Sequence, residues 1–202
     1  CVKSGIDLQE QFEEGLAMMR KKWPTGKAMA YFQAFTNTYG TLEQLKACFT
    51  PFLERDDVIA ICIATRADCI SDEILSYLDE MCQTKDIWIE LGLQSVYDET
   101  ALAMNRGHTY EEFTDCIARL QKTHVKICVH LNNGLPNETE EMMIHSAKTV
   151  GALPIHALKI HMLHLLKGTA LYARYQEKPF PLLSQEEYVE LVVKQLEVID
   201  PH

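Results

Sequence analysis

Several features that often reveal the class of a protein are missing from this chain of 202 residues. No apolar run reaches about 18 residues, so we expect no membrane span and no membrane partner. The N-terminus lacks a basic-then-apolar signal pattern, which leads us to expect a cytoplasmic protein. It also lacks an initiator methionine, so we expect a fragment. No two cysteines are spaced as CxxC, and spacing alone therefore predicts no metal site.

The composition is that of an ordinary soluble globular protein, with 47% apolar and 24% charged residues. The seven cysteines are odd in number, and we interpret Cys62, Cys116 and Cys128, at apolar periodic positions, as reduced core thiols. The net charge of −10 argues against a general nucleic-acid surface. Arg20 to Lys22 with Lys27 could form a local basic patch, but a solvated helix end is the favoured explanation.

Short apolar runs alternate with amphipathic segments of helical length along the whole chain. The runs predict strands at Met29–Phe35, Val58–Ala64, Ile87–Leu93, Val125–Leu131 and Ala157–Leu163. Helices are predicted near 7–22, 41–53, 72–82, 98–105, 109–122, 139–150 and 185–199. This order indicates a parallel sheet in a barrel, a partial barrel or an open doubly wound fold, with both faces of the strands apolar. Because no Pro/Gly/Ser-rich linker divides the chain, we expect one domain over residues 1–202.

Three predicted helices begin with a capping box, at Thr41, Thr109 and Ser184, in which two side chains satisfy backbone donors reciprocally. The last helix is predicted to bury one apolar stripe. Its members are Tyr188, Leu191, Val192, Leu196 and Ile199.

Polar side chains follow each predicted strand directly, and ligands of parallel α/β folds bind at the carboxyl ends of the strands. Glu90 is the most unusual of these residues, because it lies inside the apolar run Ile87–Leu93. A carboxylate in such a strand is costly to bury without a partner. We therefore expect a ligand site at this end of the sheet, with a structural ion pair to Arg66 or Arg106 as the alternative.

Six segments in order along the chain resemble the radical S-adenosylmethionine (radical SAM) superfamily. They are Tyr31–Thr38, Ala64–Asp68, Glu90–Ser95, Asn105–Thr109, His130–Thr139 and Lys167–Tyr172. The nearest branch resembles the one that contains the elongator catalytic subunit and small, uncharacterised bacterial radical SAM proteins.

The resemblance implies a partial (β/α)6 TIM-like barrel of parallel strands that binds S-adenosylmethionine beside a [4Fe–4S] cluster. A reduced cluster of this kind cleaves S-adenosylmethionine to a 5′-deoxyadenosyl radical, with electrons from an external donor such as flavodoxin or ferredoxin. The substrate stays open, with an RNA base as one possibility. The three-cysteine motif CxxxCxxC and the first barrel strand of this family are missing here. Cys1 is the only candidate cluster ligand, and we expect this segment alone to be inactive.

The resemblance also assigns site residues. Those expected to bind cofactor are Thr36, Asn37, Thr65, Arg66, Glu90, Gln94, Arg106, Asn132, Gly134 and Leu135. Those expected to contact substrate are His130, Lys159, His161 and His164. Simpler explanations are an ordinary asparagine turn at Asn37 and satisfied core histidines on the strands.

Two other functions remain open from the sequence alone. One is a metabolic βα-barrel enzyme without a cluster, although no good phosphate-binding glycine run is present. The other is a non-catalytic interaction domain with the same barrel.

Overall fold

The computed structural model describes residues 7–199, which form five strands and eight α-helices. The strands are β1 (Ala28–Phe32), β2 (Val58–Thr65), β3 (Asp86–Gln94), β4 (Lys126–Asn133) and β5 (Ala157–Met162). The helices are α1 (Leu8–Arg20), α2 (Leu42–Leu53), α3 (Asp72–Met81), α4 (Asp98–Ala103), α5 (Tyr110–Leu120), α6 (Glu140–Gly151), α7 (Ala170–Glu177) and α8 (Gln185–Val198).

The strands lie side by side in chain order, β1-β2-β3-β4-β5, and every neighbouring pair is parallel. A doubly wound sheet reverses its strand order at a switch point, whereas a βα-barrel keeps the chain order. The consecutive order therefore identifies a curled half-barrel, as the sequence predicted.

The two faces of the sheet differ in character. One face packs against the helices, and its residues Ile61, Ile89 and Val129 are completely buried. The other face carries Glu90 and Lys159, which the pairing register brings near each other through β4. The expectation that both faces are apolar is therefore wrong. The helix-covered face supplies the core, and the opposite face is polar at its centre.

The helix starts follow the local signals closely. All three predicted capping boxes, at Thr41, Thr109 and Ser184, are formed. The buried stripe of α8 differs from the prediction, because Leu196 is 60% exposed whereas the polar Gln195 is fully buried beside Leu191. Helix α7 was not predicted, because it buries no residue and shows no apolar stripe.

The first strand is shorter than its apolar run suggested, and the fourth is longer. Strand β1 ends at Phe32, because the side chain of Asn37 donates to the backbone oxygens of Phe32 and Ala64, each at 2.9 Å, and pulls the chain out of the sheet. Phe35 then adopts a positive φ of 64° and is almost fully exposed. Strand β4 continues to Asn133, two residues beyond the predicted end.

The three core thiols are as expected, since Cys62, Cys116 and Cys128 are all buried and free. Among the described helices, none has the length and apolar character needed to cross a membrane.

Candidate functional site

A cavity of about 730 Å³ opens at the carboxyl ends of the strands, within the usual size range of small-molecule sites. Ten of the site residues expected from the sequence line it. They are Thr65, Arg66, Glu90, Gln94, Arg106, His130, Asn132, Leu135, Lys159 and His161. Asn37 instead lines a neighbouring groove along β1. Thr36, Gly134 and His164 are not among the lining residues of this cavity, and Cys1 lies outside the described residues.

Glu90 is the centre of a hydrogen-bond network on the open face of the sheet. The hydroxyl of Tyr31 donates to its Oε2 at 2.6 Å, and the ammonium of Lys159 donates to its Oε1 at 2.6 Å. Nε2 of His130 lies 3.1 Å from Oε2, and Nδ1 of His130 lies 3.3 Å from Nε2 of His161. Groups from three other strands therefore meet at this carboxylate, and its cationic partner is Lys159 rather than Arg66 or Arg106.

The network fixes the charge of each member at neutral pH. Burial alone would raise the pKa of Glu90, but hydrogen bonds from Lys159 and Tyr31 outweigh it, and the pKa lies below its usual value. Burial and the Glu90 carboxylate together raise the pKa of Tyr31 to about 12. Burial lowers the pKa of both His130 and His161. The site thus pairs one carboxylate with one ammonium beside a neutral phenol and two neutral imidazoles that can accept protons.

A thiol completes one side of this network. The ligand atoms of Glu90, Cys128 and His130 all lie within 4.8 Å of one another, so this set could hold a soft transition metal ion. Burial, however, raises the pKa of Cys128 to about 11, and a metal would first have to displace that proton. It would also have to displace the ammonium of Lys159 from Glu90. The arrangement therefore favours a protonated thiol beside an ion pair over a bound metal.

Several residues that were expected to bind the cofactor use their polar atoms in contacts that hold together the loops around the cavity. The hydroxyl of Thr65 lies 2.5 Å from that of Thr38, and both residues are buried. Arg66 pairs with Asp68 and donates to the backbone oxygen of Gly107 at 3.1 Å. These contacts join the loops that follow β1, β2 and α4.

Arg106, which is only 8% exposed, also holds loops around the cavity together. Its guanidinium donates to the backbone oxygens of Leu93, Ser95 and His108 at 2.6 to 3.0 Å and pairs with Asp98 at 3.0 Å. The planar guanidinium of an arginine offers the several N–H donors that these contacts need, which explains why an arginine rather than a lysine stands here. The segment after β3 is thereby held at the rim of the cavity.

Two other lining residues, Gln94 and Asn132, have unusual local structure. Gln94 has a positive φ of 69° at a bulge in the β3–β4 pairing, a conformation that a non-glycine residue adopts only under constraint. Its amide nitrogen folds back over Gly92, where an added Cβ would lie only 3.0 Å away. The side-chain oxygen of Asn132 is buried without a hydrogen-bond partner among residues 7–199. An unsatisfied buried acceptor in a cavity is a natural contact for a ligand donor.

Sequence reasoning missed two groups that shape the site. Tyr31 faces Glu90, and its place inside the first predicted strand, Met29–Phe35, gave no reason to single it out. Glu138 accepts a hydrogen bond from the Ser95 hydroxyl and links the loops after β3 and β4. Burial raises the pKa of Glu138. Its place just before the helix-capping Thr139 was the available signal.

Comparisons with known proteins agree with this architecture. The sequence model of the Radical SAM superfamily matches residues 6–150, and that of the Radical_SAM C-terminal domain matches residues 155–202. The uncharacterized protein YtqA of Bacillus subtilis is 45% identical over 195 residues, which are 96% of this chain and 61% of that protein. The uncharacterized protein MJ0486 of Methanocaldococcus jannaschii is 36% identical over 98% of this chain and 61% of its own length. The chain thus spans about three fifths of these relatives.

Solved structures show the same fold. The archaeal Elp3 of Methanocaldococcus infernus superposes with a TM-score of 0.77 at 22% identity, covering 91% of this chain and 48% of Elp3. The coproporphyrinogen III oxidase HemN of Escherichia coli, described as a radical SAM enzyme, superposes with a TM-score of 0.53 at 16% identity, covering 85% and 52%. Because the superfamily model matches residues 6–150, which is more than half of the chain, the chain belongs to the radical SAM superfamily.

Proposed function

We propose that this chain is the core of a radical SAM enzyme and that its cavity binds S-adenosylmethionine beside a [4Fe–4S] cluster. The observation that carries the proposal is the convergence of ten expected site residues on one cavity at the carboxyl ends of the strands. Family membership supports the cofactor class, and the unsatisfied oxygen of Asn132 supports a ligand with hydrogen-bond donors.

The residues divide into two groups by their chemistry. Gln94 and Asn132 offer amide groups that can bind the ribose hydroxyls and the adenine amine, while Leu135 supplies an apolar wall. Arg66 and Arg106 hold the surrounding loops, and their remaining N–H groups can contact the carboxylate of the methionine part. When bound, the cluster and S-adenosylmethionine together supply the 5′-deoxyadenosyl radical.

The network around Glu90 forms the floor of the cavity. Glu90 stays a proposed cofactor contact, and its neighbours His130, Lys159 and His161 form the proposed substrate side. Lys159 is 40% exposed, so its ammonium can turn from Glu90 toward a polar substrate. His130 and His161, both neutral, can accept a proton from a substrate held there. His164 and Thr36 stay proposed contacts at the rim of the strand ends, and Gly134 a proposed close approach to adenine.

We infer that the substrate is an RNA base. The support is a relative named tRNA uridine(34) acetyltransferase from Methanocaldococcus infernus, 28% identical over 66% of this chain and 25% of its own length. Comparing the modified nucleosides of total tRNA from wild-type and gene-deleted cells by mass spectrometry tests this inference. One nucleoside should disappear from the deleted strain, and an unchanged profile would contradict an RNA substrate.

The enzymatic proposal is tested on the full-length parent protein. After anaerobic reconstitution of the cluster, S-adenosylmethionine and reduced flavodoxin or ferredoxin are added, and 5′-deoxyadenosine is measured. The wild-type protein should release it, and Asn132→Ala should release at least about tenfold less because a buried cofactor contact is lost. Leu196→Ala, an exposed position on α8, is the matched control and should retain the wild-type rate.

The outcomes also separate the alternative functions. Binding of S-adenosylmethionine without release of 5′-deoxyadenosine would point to a non-catalytic domain. Failure of the reconstituted protein to bind S-adenosylmethionine at all would refute the proposal and favour a cluster-free barrel enzyme.

A further inference from the structure

The last two residues of strand β4, Asn132 and Asn133, lie beyond its pairing with β3. The described β3–β4 pairing stops at Gln94 and Leu131, whereas β4 continues to Asn133 beside the edge strand β5. Asn132, directly after Leu131, turns its side chain into the cavity, and Gly134 follows with a positive φ of 85°. A strand end that is paired on one side only needs another anchor to keep such residues in place.

A buried pair of side-chain amides provides this anchor. Nδ2 of Asn133 donates to Oε1 of Gln195 at 2.8 Å, and Nε2 of Gln195 donates back to Oδ1 of Asn133 at 3.0 Å. Nε2 of Gln195 also donates to the backbone oxygen of Met143 on α6 at 2.9 Å. Asn133 is 2% exposed and Gln195 is fully buried. Satisfied polar networks of this kind select one arrangement of the surrounding chain.

Alternation along the strand couples this anchor to the cavity. Successive residues of a strand point to opposite faces, so Asn133 reaches α8 on the helix-covered face while Asn132 reaches the cavity on the other. Any rotation of the strand end that breaks the amide pair must also turn Asn132. Helix α8 touches the site through this pair, although Gln195 itself does not line the cavity.

We propose that Gln195 is a positioning residue for the cofactor site: through Asn133 it fixes the end of β4, and with it Asn132 and Gly134, in the orientation that binds S-adenosylmethionine. The last helix, which lies in the part matched by the C-terminal family model, thereby becomes a component of the cofactor site. The link to S-adenosylmethionine rests on the proposed function, whereas the control of the strand end does not.

The test uses Gln195→Glu in the full-length protein, with Leu191→Val as the matched control on the same buried face of α8. Glutamate keeps the size of the side chain, but its carboxylate has no donor for Asn133 or Met143, and even a protonated carboxyl has one donor where Gln195 uses two. Hydrogen–deuterium exchange of the backbone amides from Leu131 to Leu135 reports the strand end without any ligand. Exchange there should accelerate in Gln195→Glu and remain at the wild-type rate in Leu191→Val.

Equilibrium binding of S-adenosylmethionine to the anaerobically reconstituted proteins is the second measurement. The dissociation constant should rise about fivefold or more in Gln195→Glu and stay unchanged in Leu191→Val. Equal effects of the two variants, or unchanged exchange at the strand end, would overturn the positioning role. A wild-type protein that binds no S-adenosylmethionine, with accelerated exchange in Gln195→Glu alone, would refute the proposed cofactor and leave the anchor supported.

Discussion

Lys159 on β5 and Glu90 on β3 form an ion pair across the intervening strand, with Nζ and Oε1 2.6 Å apart. The two partners are unequally exposed, because the side chain of Glu90 is 6% exposed and that of Lys159 is 40% exposed. The carboxylate therefore depends on the ammonium far more than the ammonium depends on the carboxylate. Because of this asymmetry, variants of the two residues can test how the open face of the sheet is stabilised.

Removing the ammonium should lower the free energy of unfolding more than removing the carboxylate does. Lys159→Met leaves the buried charge of Glu90 with only Tyr31 and His130, and we expect the free energy of unfolding to fall by about 1–2 kcal/mol. Glu90→Gln keeps the shape and lets Lys159 reach solvent, so we expect a smaller loss. Urea unfolding of both variants at neutral pH makes the comparison, and a larger loss for Glu90→Gln would contradict the asymmetry.

Stability should depend on pH through the two imidazoles of the site. Burial lowers the pKa of His130 and of His161 below the ordinary value of 6.5, and Glu90 and Lys159 are the charged groups that face them. The unfolded chain therefore binds more protons than the folded chain once the pH falls below about 6.5. The stability contributed by the neutral imidazoles is complete above that pH and is lost as the pH falls through the lower folded-state values.

His130→Gln isolates the contribution of one imidazole to this dependence. We expect the free energy of unfolding to fall less steeply between about pH 6.5 and pH 5 in the variant than in the wild-type protein. Urea titrations at several pH values give the two slopes. Identical slopes would show that His130 titrates alike in the folded and unfolded chains.

Much of the fold could be predicted from local signals. The five strands and the three capping boxes follow from short-range patterns, because apolar runs and side-chain to backbone hydrogen bonds involve residues close in sequence. Helix α7 was not predicted, because it buries no residue and has no periodic apolar pattern. The order of the strands required the general rule that βα units place their strands side by side.

The site was predictable in its position and less so in its contacts. Polar residues after parallel strands had to gather at one end of the sheet, and ten of the expected site residues line one cavity. Which partner each side chain takes depends on distant strands: Glu90 meets Lys159, 69 positions away, instead of an arginine. Gln195 was not predicted to be buried, because a glutamine in a helix is normally taken to face solvent. Only the partner Asn133, far away in the sequence, shows that it is a core residue.

Gly107 should be intolerant of a side chain for two separable reasons. Its φ is 91°, and an added Cβ would lie 2.5 Å from the guanidinium of Arg66. Gly168 has a similar φ of 86° but nothing within 4 Å of the added Cβ, so Gly168→Ala measures the backbone strain alone. We expect Gly107→Ala to lower the free energy of unfolding by about 1 kcal/mol more than Gly168→Ala. Equal losses in thermal or urea unfolding would show that Arg66 moves aside without cost.

Gln94 should show opposite effects on stability and on binding, because its positive φ strains the backbone at the edge of the cavity. Glycine adopts this conformation freely, so Gln94→Gly should leave the free energy of unfolding unchanged or raise it by up to about 1 kcal/mol. The same change removes the side-chain amide, and the dissociation constant for S-adenosylmethionine should rise about tenfold.

Gln94→Ala separates these two effects, because it removes the same amide and keeps a side chain at the strained position. Binding should weaken as much as in Gln94→Gly, while stability should not improve. Urea unfolding and equilibrium binding on the reconstituted full-length protein give both quantities for each variant. If both variants bound S-adenosylmethionine as tightly as the wild-type protein, Gln94 would not be a cofactor contact, and the strain at this strand end would need another cause. A loss of stability in Gln94→Gly alone would show instead that the side chain of Gln94 holds the bulge between β3 and β4 in place.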